Sequence, residues 1–283
     1  MYTGKLGVGL IAFNRPHYFR ETIKSLNKQT HLADTDFHLF QDGRLNKFSK
    51  KLHADRIVVA KSLDLFRRAK LPNKTEHIQK QNVGNGINQF MAVEHLASKY
   101  DYFLIIEDDV VLSPHYLRLI RLMISQFMGI DDVFSVSLSF KRKCEKSEIG
   151  ENLDKVAYLH EHWWAECWSA AKWKTCRKHF LTYYQFIQNC DYQLRPHDKI
   201  RRMFHSQGFM VPQTSQDAGK DFMLFKTGMH RLNTVVNRGF YIGEQGMHFR
   251  ASTYKRMGFG EMKPYIHEED AKLDSFVLDS SIG

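Results

Sequence analysis

Residues 102 to 106, Tyr-Phe-Leu-Ile-Ile, form an unbroken apolar run that ends on three successive carboxylates, Glu107, Asp108 and Asp109. A short run without polar alternation suits a strand covered on both faces, as in the middle of a parallel sheet. In open α/β sheets the ligand crevice lies just beyond the carboxyl ends of the strands. The triplet is therefore expected at that crevice. Three oxygen donors there match Mg²⁺ or Mn²⁺, ions that commonly take one or two protein carboxylates together with substrate phosphates. An acidic turn leading into the next helix is the plainer alternative for the triplet taken alone.

The flanking sequence supplies a parallel-sheet grammar. Leu6 to Phe13 is apolar and closes on Asn14-Arg15-Pro16, a first strand and its turn. Phe19, Ile23 and Leu26 then recur at helical spacing. Phe37, Leu39 and Phe40 mark a second strand ending in Gln41-Asp42-Gly43. A polar helical segment is expected through about 46 to 70. The turn Asn82-Val83-Gly84-Asn85-Gly86 opens a further helix with Ile87, Phe90, Met91 and Leu96 on its apolar side. It is not a Walker A loop, because the Gly-Lys-Ser/Thr ending is missing. After the acidic strand, Ser113 reads as an N-cap with Pro114 at the first helical position, and Val133 to Leu138 reads as another strand. Strand and helix in alternation predict an α/β nucleotide-binding type of unit. Beyond residue 140 the pattern fades: 141 to 155 reads as a charged loop, 214 to 221 as a polar turn, and the acidic tail from His267 carries little pattern.

Composition narrows the classes further. The chain has 283 residues, 43% of them hydrophobic, with no apolar stretch approaching the roughly 18–20 residues of a membrane span. Leu6 to Phe13 is too short for a signal sequence and lacks a cleavage site, so a cytoplasmic setting is the expectation. The four cysteines, Cys144, Cys167, Cys176 and Cys190, show no CxxC pairing and read as reduced structural thiols. The formal net charge of +10 favours anionic partners. Nucleic acid is one such partner, but no helix-turn-helix, RNP-like or zinc-finger pattern accompanies the charge, and none is expected to bind.

Four features in order carry a resemblance: Asn14-Arg15-Pro16 after the first strand, Gln41-Asp42-Gly43 after the second, Glu107-Asp108-Asp109 after a third, and Lys220-Asp221-Phe222 before an amphipathic stretch. Together with the Gly-rich segment Asn237 to Phe249, this set resembles GT-A-fold glycosyltransferases. It is most similar to the group of the animal N-acetylglucosaminyltransferase that starts N-glycan branching and its bacterial relatives. The resemblance covers roughly residues 5 to 250. It implies a Rossmann-like, mostly parallel α/β sheet flanked by helices with an acceptor-side extension. One GT-A domain over 1–283 follows, with a nucleotide-binding half at 5–112, an acceptor-binding half at 113–265 and a C-terminal tail at 266–283.

Position by position, the resemblance implies that Arg15 and Asp42 contact the base and ribose end of a nucleotide-sugar. Glu107 and Asp108 would hold the ribose and sugar side, and Asp109 the Mn²⁺ or Mg²⁺ on the diphosphate. Asp221 would be the general base, with Asp217, four residues upstream, as the alternative. Lys220 departs from the Trp that many relatives carry before that Asp. His248 is a candidate third contact to metal or diphosphate, with a structural role as its alternative. Trp164 and Trp168 could stack on an acceptor sugar or simply pack a core. Glu166 between them reads first as a solvated acid and second as a partner for a sugar hydroxyl. The implied activity is metal-dependent, inverting transfer of a sugar from a UDP-sugar or similar donor to a glycan or lipid-linked glycan. Peripheral contact with anionic membrane would use the basic surface. A nucleotidyltransferase or metal-dependent phosphohydrolase, which also gathers acids on an α/β sheet, is the alternative enzyme class, and a basic nucleic-acid-binding protein the non-enzymatic one.

Overall fold

The computed structural model describes residues 1–139, 146–158, 163–246, 251–261 and 268–282. The chain runs β1 (Leu6–Ala12), α1 (Pro16–Leu26), β2 (Thr35–Gln41), α2 (Arg56–Arg68), β3 (Lys74–Ile78), α3 (Asn85–Ala97) and β4 (Tyr102–Glu107). A tight turn at Asp108 and Asp109 leads to β5 (Val110–Leu112), α4 (Tyr116–Phe127), β6 (Val133–Ser137), α5 (Lys146–Asn152) and β7 (Lys155–Tyr158). Then follow β8 (Glu166–Ser169), α6 (Ala170–Ile187), α7 (His197–Ser206), α8 (Gln216–Thr227), β9 (His230–Thr234), β10 (Gly239–Tyr241), α9 (Ala251–Arg256) and β11 (Val277–Leu278).

Nine strands pair in the order β11-β7-β9-β6-β8-β4-β1-β2-β3. The run β4-β1-β2-β3 is parallel throughout, so β1, β2 and β4 end on one edge. β8 enters antiparallel between β4 and β6 and carries the sheet across the expected boundary at 112–113. The sheet is mixed but mostly parallel. β5 and β10 form a separate two-stranded ribbon beside the acidic turn.

The apolar runs explain this burial. Every residue of β1 is buried, as a strand covered on both faces requires. Leu6, Val8 and Leu10 pack with Phe19, Ile23, Phe66, Leu117 and Ile120 from α1, α2 and α4 on one face. On the other face, Ile11 and Phe40 pack with Phe90 and Val93 of α3, Phe180 of α6 and Phe222 of α8. Each such side chain contributes about 1.5–3 kcal/mol by leaving water.

Several local expectations need correction. The helix expected through 46–70 is confined to α2; residues before it are turns tied by Asn46, whose Oδ1 accepts the N–H groups of Phe48 and Ser49. Ser113 does not cap a helix: α4 starts at Tyr116 with His115 at the N-cap, and Ser113 instead pairs its N–H with the Arg238 carbonyl. Much of the charged loop expected at 141–155 is α5 and the start of β7. The polar stretch 214–221 is not a turn but the start of α8, with Ser215 as N-cap accepting from the Ala218 N–H. The tail contributes Asp270, which is buried against Arg238. Lys172 is held against the body of the fold: its Nζ donates to the carbonyls of Met128, Ile130 and Val133. No helix among the described residues is long and apolar enough to cross a membrane.

Candidate active site

The parallel strands β1, β2 and β4 deliver their C-terminal residues to a cavity of about 350 Å³. Pro16 at the first position of α1 sets that helix directly after the β1 turn, and Arg15, at its N-cap, makes no capping bond with its side chain. The Arg15 guanidinium instead reaches across to the acidic turn. Its Nη2 pairs with Asp108 Oδ1, and its Nη1 lies 2.5 Å from Asp109 Oδ2. Arg15, Asp42, Glu107, Asp108 and Asp109 all line the cavity, so the structure brings together the five residues expected on the nucleotide side.

The triplet is held in place from several directions. Thr22 Oγ1 donates to the Asp108 carbonyl at 3.0 Å, and the Ile242 N–H donates to the Asp109 carbonyl at 2.9 Å. Gln89 Nε2 of α3 donates to Glu107 Oε1. Gly243 passes so close to Asp109 Oδ2 and Tyr241 Oη that any Cβ there would strike them. Asp109 is 1% exposed, and its Oδ1 has no hydrogen-bond partner among the described residues.

Electrostatically the turn is overfilled with acid. Burial pushes the Glu107 carboxyl up to about 8, with Asp109 and Asp217 adding to the rise. Burial likewise pushes Asp109 up to about 6, against the pull of Arg15. Burial opposes the Arg15 charge, but Asp108, Asp109 and Glu107 outweigh it and hold its pKa above the ordinary arginine value. One guanidinium therefore faces three carboxylates. A hard divalent cation fits this donor set, since all the donors are oxygens and one buried oxygen is unpartnered.

Asp42 organises the opposite wall. Its carboxylate accepts the N–H groups of Gly43, Val83 and Gly84 and the Asn82 side-chain amide, all within 2.9 Å. Burial still pushes its carboxyl up to about 6, against those donors. These bonds shape the turn that starts α3. Gly84 adopts φ +85° and abuts Tyr192, so a side chain there would be both strained and obstructed.

The remaining expected residues separate into two groups. Asp217, in the first turn of α8, lines the cavity with a side chain 44% exposed and pairs with Lys220 Nζ at 3.0 Å. Asp221 does not line it. Lying one helical turn further on, it accepts a 2.8 Å hydrogen bond from Trp163 Nε1. Burial raises its carboxyl, and Arg231 works against that rise. Trp164, Glu166 and Trp168 are also off the cavity wall. Trp164 stacks on Tyr241 at 5.0 Å, behind the ribbon, and Trp168 packs edge-on against Phe134 and Trp163 in the core. Glu166 is 1% exposed, the reverse of a solvated acid, and accepts from Ser135 Oγ at 2.7 Å beside Arg231. Burial drives these side chains inward because β8 is an interior strand with both neighbours paired. His248 lies outside the described residues.

One whole wall of the cavity carries no motif in the sequence. Asp191, Tyr192 and Arg195 line the cavity from the segment after α6, while Tyr241, from the Gly-rich segment singled out in the sequence, closes it from the ribbon. Asp191 accepts from Ser49 Oγ and His53 Nε2 at 2.5 and 2.9 Å, joining this wall to the loop after β2. Arg195 lies over the Tyr192 ring at 4.6 Å and donates to the Thr214 carbonyl. Ser215 followed by an acid at 217 is a helix-start signal and could have placed Asp217 in a first turn. Nothing local marks Asp191 or Arg195, whose placement depends on tertiary packing.

The mostly parallel central sheet flanked by helices has the GT-A fold. No family profile matches the sequence, and no curated protein matches it. Among solved structures, S. aureus TarS 1–349 is similar at a TM-score of 0.51 and 12% identity, over 85% of this chain and 61% of that one. The mannosyltransferase PcManGT from Pyrobaculum calidifontis, in complex with GDP-Man and Mn²⁺, gives 0.47 and 10%, over 84% and 55%. TarS 1–349 in complex with UDP-GlcNAc gives 0.44 and 16%, over 60% and 47%. The chain thus spans at most 61% of the length of these three structures.

Proposed function

We propose that the chain is a metal-dependent, inverting glycosyltransferase that moves a sugar from a nucleoside-diphosphate sugar, a UDP-sugar foremost, to a glycan or lipid-linked glycan. The observation that carries this reading is the overfilled acidic turn: three carboxylates and one guanidinium at the strand ends, facing a cavity of about 350 Å³. A cavity of that volume falls in the range of small-molecule sites. The order of the motifs, which resembles the GT-A transferases, supports the same reading.

Asp109 would hold the Mn²⁺ or Mg²⁺, with Glu107 and Asp108 facing the ribose and sugar. When bound, the ion supplies Lewis-acid neutralisation of charge on the departing diphosphate. Arg15 stabilises the carboxylates beforehand and adds a second positive group beside the diphosphate. Asp42 keeps the Asn82–Gly84 turn in place under the nucleotide, and Tyr192 and Arg195 offer a ring face and a cation on the far wall.

Asp217 is the general base in this reading. It takes the acceptor hydroxyl proton as the hydroxyl oxygen bonds to the anomeric carbon and the carbon–oxygen bond to the diphosphate breaks with its electron pair. Its exposed carboxylate on the cavity wall supports this choice over Asp221, whose Oδ1 is engaged by Trp163. One base without a carboxylate nucleophile gives inversion. The basic surface would hold the enzyme near anionic lipid bearing the acceptor.

The test is a panel of UDP-, GDP- and dTDP-sugars, each with Mn²⁺ or chelator, offered with glycan acceptors and read by product mass. Sugar transfer that needs the metal supports the reading. Release of phosphate or pyrophosphate without sugar transfer would favour the phosphohydrolase or nucleotidyltransferase alternative.

A further inference from the structure

Away from the cavity, three histidines converge on the far edge of the sheet. His38 lies on β2, His77 on the edge strand β3 and His95 on α3, which covers that face. One ring nitrogen of each lies within 4.8 Å of the others. The His77 ring stacks on Phe40 at 4.4 Å and meets His95 edge-on at 4.3 Å. None of the three lines the nucleotide cavity.

The hydrogen bonds around His38 fix its tautomer. Tyr100 Oη donates its proton to Asp36 Oδ2 at 2.8 Å. Its oxygen can then only accept from His38 Nε2, 2.7 Å away. A neutral His38 is left with a bare Nδ1, which accepts a 3.1 Å hydrogen bond from His77 Nε2, so a metal taken there would replace that proton, with His77 shifting to its Nδ1–H tautomer. Two imidazole nitrogens on a tetrahedral zinc, each about 2.0–2.1 Å from the ion, are about 3.3 Å apart. The observed pair is near that spacing. His95 Nε2 is buried and has no hydrogen-bond partner among the described residues. The chain Asp36–Tyr100–His38 fixes the His38 ring through its other nitrogen, as the outer-sphere partner of a ligating imidazole does.

We infer that His38, His77 and His95 form a second metal site, separate from the acidic turn, which takes a borderline transition-metal ion such as Zn²⁺ on three imidazoles. Imidazole suits Zn²⁺, Cu²⁺ and Ni²⁺, whereas an all-oxygen site suits Mg²⁺ and Mn²⁺, so the two sites select different ions. A tetrahedral ion would leave its fourth position to water, which reaches the site past the partly exposed His77 and His95. Burial lowers His38 and His77 to about 4 and lowers His95 as well, with Lys99 adding to each. Burial thus favours the uncharged rings that ligation requires. Lys99 opposes any cation there electrostatically, a cost that the three nitrogen bonds must exceed. The ion would tie β3, an edge strand with one neighbour, to β2 and α3. This inference does not depend on the glycosyltransferase reading.

The test uses tag-free, chelator-stripped full-length protein titrated with Co²⁺ and then Zn²⁺. We expect one Co²⁺ per chain with the visible absorption of a low-coordinate nitrogen site, its displacement by Zn²⁺, and a rise in Tm with Zn²⁺. His77→Gln and His95→Gln should lose all three signals, while Asp109→Asn keeps them. Metal-free melts of both histidine variants check folding, and two substitutions on different elements guard against one failing to fold. No absorption or Tm rise in the native chain would overturn the site. Signals that survive both histidine substitutions, or vanish in Asp109→Asn, would equally overturn it and leave the rings as packing against Phe40.

Discussion

Arg238 and Arg15 both lean on aspartate carboxylates, but they are matched in opposite ways. Arg238 meets Asp270 one charge to one, through two parallel 2.8 Å bonds, and its remaining donors reach the carbonyls of Val236 and Leu153. Both partners are fully enclosed. Arg15 meets Asp108 and Asp109 with Glu107 close by, in a site open to a cavity, and Asp109 Oδ1 goes unpartnered among the described residues. A saturated pair fastens the tail to the body of the fold. An unsaturated cluster with surplus acid is destabilised in isolation and is relieved by a cation. On the reading proposed above, the first cluster serves stability and the second serves chemistry.

Substitutions should separate the two. The largest effect belongs to Asp109→Asn, which should lower metal-dependent turnover on the order of 10⁴-fold, several kcal/mol of lost charge stabilisation. Its metal-free Tm should stay level or rise, because surplus negative charge is removed. Asp217→Asn should lower turnover about 10²–10⁴-fold with donor binding retained, as expected for loss of a general base; kcat and donor affinity measured side by side decide this. Asp270→Ala should cost about 3–5 kcal/mol of stability by leaving Arg238 buried and unpaired. Denaturant melts read that loss, and an unchanged midpoint would break the comparison.

A pH titration sharpens it further. Glu107 and Asp109 have folded pKa values raised to about 8 and 6, from ordinary values of 4.5 and 3.8. At these two groups the folded state holds more protons than the unfolded state across that window, so their contribution to metal-free stability is greatest at low pH and falls as pH rises from about 4 through about 8. Melts of the metal-free protein across that range should show the decline, and Asp109→Asn should flatten it. The smallest effect is expected from Asp221→Asn. Asparagine Oδ1 can still accept from Trp163 Nε1, so turnover should change by less than about tenfold. A loss equal to that of Asp217→Asn would return the base role to Asp221.

Residues that follow local rules are legible in the amino-acid sequence alone. The β1, β2 and β4 runs, the Asn14–Pro16 turn and the Asn82–Gly86 turn all come from patterns within a few residues, and they deliver Arg15, Asp42 and the triplet to one edge. The acceptor-side expectations depended on distant packing. Trp168 reads as either a sugar-stacking or a core side chain and Glu166 first as a solvated acid; β8 inserts between β4 and β6 and buries both, which decides for the core. Asp191 and Arg195 lack a local signature because their partners, His53 and Thr214, come from other loops. The histidine cluster is invisible for the same reason: positions 38, 77 and 95 meet only once β3 pairs with β2 and α3 covers them.

The most direct measurement is calorimetric titration of UDP and GDP into the native chain and into Asp109→Asn, each with Mn²⁺ and with chelator. The account predicts binding of a nucleoside diphosphate to the native chain that strengthens at least about tenfold with Mn²⁺, about 1.4 kcal/mol, and an Asp109→Asn variant that no longer responds to the metal. Equal affinity with and without Mn²⁺ in the native chain, or a metal response that survives in Asp109→Asn, would contradict it.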